Sequence, residues 1–134
     1  MAWSGDGVYC EGGARNFKVA VDEPAALGGT DKAMNPVELL LCSLGGCMSI
    51  CAAVFAREVG VDLKGFHVEL EGDLDPNGFL GKDPHVRKGY QEIRYRMHIE
   101  SPSPAENIER LKKIIKERCP VSDTLSGVAV VAME

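Results

Sequence analysis

Eighteen consecutive positions, Leu39 to Ala56, carry no charge, and this run dominates the hydrophobic pattern of the chain. It is introduced by Asn35, Pro36 and Glu38: an N-cap residue, a proline suited to the first helical position, and an acid three places after the cap. The pattern predicts a long helix starting at Asn35. Upstream, Phe17, Val19 and Val21 alternate with Lys18, Ala20 and Asp22, the period of a half-buried strand. Glycines at 5, 7, 12 and 13 punctuate the start, and residues 23–34, EPAALGGTDKAM, read as a loop. Downstream, Phe66, Val68 and Leu70 mark one strand. In a second, Ile93, Tyr95, Met97 and Ile99 alternate with Arg94, Arg96, His98 and Glu100. Between them residues 72–89 form a long polar loop, a length often tied to function. Ser103, Pro104 and Glu106 resemble another capping box, followed by Ile108, Leu111, Ile114 and Ile115 at helical spacing and a stop at Pro120. GVAVVAM, residues 127–133, reads as a buried strand. The order β, long α, β-β, α, β predicts an α+β fold in a single domain over residues 1–134.

The uncharged run is long enough to cross a membrane. Ser43, Gly45, Gly46, Ser49 and three cysteines dilute it, and there is no second span, so a helix buried on nearly all sides is the better reading. One chain of 134 residues has little material to surround such a helix, which predicts an obligate homodimer. Gly45 and Gly46 cost helix propensity and would admit the close approach of another backbone.

Composition narrows the function. With 45% hydrophobic and 26% charged residues the chain is ordinary globular material, and a net charge of −5 argues against a nucleic-acid partner. Residues 1–15 lack the basic start and apolar run of a signal peptide. No membrane association is expected, and the expected location is the cytoplasm. Five cysteines cannot all pair within one chain, and a reducing compartment leaves them as free thiols.

Two of these thiols sit in unlike settings. Cys119 precedes Pro120, so the helix before it should end there. Cys119 would then cap the turn PVSDTL, where free N–H groups and the helix dipole stabilise a thiolate. The competing reading is a packed core thiol that happens to end a helix. Cys47 lies mid-helix and is structural by default; a reactive thiolate there needs a cation from elsewhere in the fold. Brought together, the two would form a pair able to cycle between dithiol and disulfide without a metal or an organic cofactor. Cys51 shares a helix face with Cys47, but residues one turn apart rarely meet disulfide geometry. There is no CxxC pair, and His67, His85 and His98 lack zinc-finger spacing, so no metal site is expected.

The run NPVELLLCSLGGCMSICAA and the later RCPVSDTL resemble the OsmC/Ohr-like family, the osmotically inducible protein C and organic hydroperoxide resistance proteins. The resemblance implies an α+β fold with a long buried central helix, antiparallel strands and two intertwined subunits whose sites lie at their interface. It implies that Cys47 attacks an organic hydroperoxide and becomes a sulfenic acid. Cys119 would resolve it as a disulfide, and a dithiol such as dihydrolipoamide would restore the pair. Cys10, Cys42 and Cys51 match no family role and read as packing thiols. Two departures stand out. The peroxidase branches carry an arginine in a GRDG-like turn near the N-terminus, and here WSGDG places Gly5 at that position. They also carry a glutamate two residues after the Asn of the NP motif, where Val37 stands; Glu38 is one place further on. Glu38 is therefore a candidate site residue that also fits a helix cap. Arg87, in the long polar loop, is the candidate substitute cation, while Arg94 and Arg96 read as a solvated sheet face. The departures give weight to an alternative: a non-peroxidase member binding a small apolar or thiol-reactive ligand at the dimer interface.

Overall fold

A computed structural model describes residues 1–133 of the chain. Contacts divide it into two compact units, residues 1–42 and 43–134.

In the first unit, strands β1 (Ala2–Trp3), β2 (Cys10–Ala14) and β3 (Phe17–Val21) form an antiparallel sheet in sequence order. The alternating segment at 17–21 is β3, and Val21 is its buried end. The following loop is organised around Asp22, which the alternation had made a surface position and which is 1% exposed. Its carboxylate accepts hydrogen bonds from the Thr30 hydroxyl (2.7 Å) and from the backbone N–H groups of Glu23, Thr30 and Lys32 (2.9, 3.1 and 3.1 Å).

Helix α1 spans Pro36–Phe55. Its start is the reciprocal cap expected from the sequence. The Glu38 N–H donates to Asn35 Oδ1 and the Asn35 N–H donates to Glu38 Oε2, both at 2.8 Å. After a 3-10 turn at Arg57–Val59 the path is broken by Gly60 in a left-handed conformation, φ 71°. The helix buries Leu44, Gly45, Met48, Cys51 and Ala52. Ile50 and Val54, on another side, are 67% and 61% exposed. One chain thus covers only part of a helix whose length and composition would suffice to cross a membrane.

In the second unit, β4 (Gly65–Asp73) and β5 (Glu92–Glu100) pair antiparallel along nine residues each. The side-chain period of two puts Phe66, Val68 and Leu70 on one face with Ile93, Tyr95, Met97 and Ile99. A β-carbon on Gly45 would stand 2.9 Å from Leu70 Cδ1 and 3.5 Å from Val68 Cγ1, so the bare glycine lets the sheet approach α1. The other face is a charged ladder. Arg94 holds Glu71, Asp73 and Glu92 (2.6–2.7 Å), and Glu69 holds Arg96 and His98 (3.1 Å). The polar loop carries a one-turn helix, α2 (Pro76–Phe79), capped by Asp75.

Helix α3 (Ala105–Arg118) buries Leu111 and Ile115 completely; each such side chain contributes about 1.5–3 kcal/mol. Its expected Ser103 cap is not made. The N-cap position is Pro104, and the Ser103 hydroxyl instead accepts the Asp62 N–H at 2.8 Å, tying the start of α3 to the segment after α1. Helix α4 (Pro120–Thr124) follows directly. The chain then returns as β6 (Ala129–Ala132), parallel to β5; the helical crossover supplies the length a parallel pair requires. β6 lies at the edge of the described sheet, with Val131 38% exposed; the burial of Ala129 and Val130, which the apolar run predicts, lies outside the described side chains.

Candidate functional site

The end of α3 and the middle of α1 meet through sulfur. Cys119 has φ −76° and ψ 112°, the extended conformation that a following proline favours. It is both the last cap of α3 and the N-cap of α4, and its Sγ accepts the Ser122 N–H at 3.4 Å. The cap expected from the Cys-Pro pair is therefore made. Cys51, one turn beyond Cys47 on α1, donates its thiol to the Arg118 carbonyl at 4.0 Å. The Sγ atoms of Cys47, Cys51 and Cys119 all lie within 4.8 Å of one another.

The three sulfurs differ in their surroundings. Cys119 is 1% and Cys51 5% exposed, while Cys47 is half-buried. Burial, reinforced by the Cys47 thiol, pushes the Cys119 thiol up to about 11, against a weaker downward pull from the Ser122 N–H. Burial likewise pushes Cys51 up, with Cys47 acting in the same direction. Desolvation thus outweighs the helix-end stabilisation at Cys119, and that residue is a thiol at neutral pH.

Cys47 and Cys51 line an open cavity of about 540 Å³. Its walls are mostly apolar: Ile50, Val54 and Phe55 from α1, Pro120 and Val121 from α4. Arg118 is the charged residue on the wall. Its guanidinium donates to Glu58 at 3.0 Å and lies 5.0 Å from the centre of the Phe55 ring. Arg87 sits exposed on the loop after α2, where its carbonyl lies 2.6 Å from the position a β-carbon on Gly78 would take; it is not among the residues lining the cavity. Glu38 is engaged in the α1 cap.

The structure therefore brings Cys47 and Cys119 together and adds two residues. From the sequence Cys51 reads as a packing thiol, although its spacing of four from Cys47 puts both on one helix face. Arg118 immediately precedes Cys119 in the sequence, and its place on the cavity wall follows from where α3 ends.

A family model described as OsmC-like protein matches residues 29–134. No curated protein matches the chain. Among solved structures, an OsmC like protein from Mycoplasma pneumoniae superposes with a TM-score of 0.75 at 20% identity, covering 98% of each chain. An organic hydroperoxide resistance protein OsmC from Legionella pneumophila gives 0.65 at 20% identity, covering 99% of this chain and 100% of its own. An OsmC-like protein of unknown function from Vibrio cholerae gives 0.70 at 11% identity, covering 96% and 97%. At these identities the likeness is one of fold.

Proposed function

The chain belongs to the OsmC-like protein family, and from that premise we propose that it reduces organic hydroperoxides through Cys47 and Cys119, in defence against oxidative stress. The observation that carries this reading is the approach of the two sulfurs to within 4.8 Å, with Cys47 on the wall of an apolar cavity. Packing alone requires neither thiol there.

The chemistry proceeds in three balanced steps. The Cys47 thiolate attacks one peroxide oxygen and the O–O bond breaks. Cys47 becomes a sulfenic acid, and the alkoxide takes up a proton and leaves as the alcohol. The Cys119 thiol then condenses with the sulfenic acid, forming an S–S bond and releasing water. A disulfide needs the sulfurs at about 2.05 Å, so side-chain rotation has to close the remaining gap. Finally an external dithiol, of the dihydrolipoamide type, exchanges through a mixed disulfide and restores both thiols. A thiol held up to about 11 suits Cys119 to resolve rather than to attack, since the thiolate is the nucleophile. The apolar walls favour an alkyl peroxide over hydrogen peroxide. We assign the supporting cation to Arg118, which shares the cavity, in place of Arg87.

A second reading has an observation of its own. Arg118 is already paired with Glu58, which damps the field it offers Cys47. On that reading the same cavity binds a small apolar or thiol-reactive ligand without turnover. In both readings a second copy of the chain covers the exposed side of α1 and adds a further wall to the cavity.

One experiment separates them: peptide mass mapping of the fully reduced protein after one equivalent of cumene hydroperoxide. The expected result is rapid formation of a Cys47–Cys119 disulfide that Cys47→Ser abolishes. Thiols left unmodified, or oxidised slowly and at random, would give the site to ligand binding.

A further inference from the structure

The cluster holds one thiol more than a two-cysteine cycle uses. We propose that Cys47, Cys51 and Cys119 together form a site for trivalent arsenic, taken up as arsenous acid and held by three sulfur bonds.

Geometry comes first. Two of the sulfurs sit one turn apart on α1, and the third is fixed at the junction of α3 and α4. Rigid elements therefore present all three to a common point. Three sulfurs bound about 2.3 Å from a shared centre at the narrow angles of a pyramidal site stand about 3.5 Å from one another. The cluster, within 4.8 Å throughout, reaches that arrangement by a contraction of at most about 1.3 Å, within the range of side-chain rotation.

The donor set comes second. The group contains sulfur alone, with no His, Asp or Glu among the described residues joining it. Such a set selects soft, thiophilic ions over hard ones. Structural zinc takes four protein ligands, and here there are three. Charge then decides among the soft candidates. Three thiolates around a monovalent or divalent cation leave a net negative charge against apolar walls, and that is costly. Arsenous acid avoids this cost. Each of its three As–O bonds breaks as an As–S bond forms, and each thiol proton leaves with a hydroxide as water. No electrons are transferred, and the product is neutral. Access is through the open cavity, where the half-buried Cys47 makes the first contact and Ser43 and Gly46 present small walls.

The test uses the whole reduced chain and sodium arsenite, read by native mass spectrometry and calorimetry. The expected adduct adds one arsenic and loses three protons. Cys51→Ala should weaken binding by at least about tenfold and yield an adduct that keeps a hydroxyl. Cys10→Ser and Cys42→Ser should change neither result. X-ray absorption on the unaltered protein should show three sulfur neighbours and no oxygen, a readout that does not depend on any variant folding. An oxygen neighbour, or a Cys51→Ala protein that binds as tightly as its parent, would overturn the proposal. The peroxide reading does not need Cys51, so either can fail without the other.

Discussion

Two single residues tie the stability of the fold to pH on either side of neutral. The Asp22 carboxyl is held at about 2, below its ordinary 3.8, first by the Thr30 hydroxyl and then by the N–H groups of Lys32, Glu23 and Thr30. A lowered folded value means that the stabilisation is present above 3.8 and is lost as the pH falls toward 2. Cys119 is the mirror case. Its folded value of about 11 against 9.0 gives a contribution present below 9.0 and lost as the pH rises through 11. The melting temperature of the reduced protein should therefore fall at both ends. Asp22→Asn should flatten the acid limb while lowering the neutral plateau, and Cys119→Ala should flatten the alkaline limb. Scanning calorimetry across pH reads both, and an acid limb unchanged in Asp22→Asn would remove Asp22 from this role. The role of Asp22 is not legible along the chain. Its place after an alternating strand read as solvent-facing, because the loop that folds over it approaches from eight to ten residues further on.

At the scale of elements, local signals decided where helices begin, except where a side chain found a distant partner. Asn35 and Glu38 satisfy each other across one turn, so Asn35→Ala should cost about 1 kcal/mol. Glu38→Gln should leave stability nearly unchanged, since glutamine serves the same position in a capping box. Urea denaturation measures both. A normal cumene hydroperoxide response in Glu38→Gln would confine Glu38 to the cap, and a lost response would place it in the chemistry. Ser103 shows where local reasoning stops: its hydroxyl goes to Asp62, 41 residues away, and no window along the sequence contains both. The site divides in the same way. The Cys119 cap followed from the proline beside it, and the shared face of Cys47 and Cys51 followed from helical spacing. The approach of Arg118 to that cavity depended on how α3 packs, which no periodicity encodes.

For the whole molecule, the uncharged run poses a question that one chain does not answer. Ile50 and Val54 lie four residues apart on the same side of α1 and are more than half exposed, beside the cavity that holds Cys47. Covering each would contribute about 1.5–3 kcal/mol. Gly46 has nothing within 4 Å of its would-be β-carbon, which leaves room for another backbone to come close. A second copy of the chain fits this stripe, because two copies meeting at α1 would hide the apolar residues of both and leave the charged β4–β5 ladder in water. Sedimentation velocity should accordingly show a dimer at micromolar concentration. Ile50→Asp combined with Val54→Asp should give a monomer with an unchanged circular dichroism spectrum, since these side chains are largely free of their own chain. An unaltered chain that sediments as a monomer up to high concentration would reject the dimer and assign the stripe to another occupant, with a lipid surface the first to test by vesicle flotation.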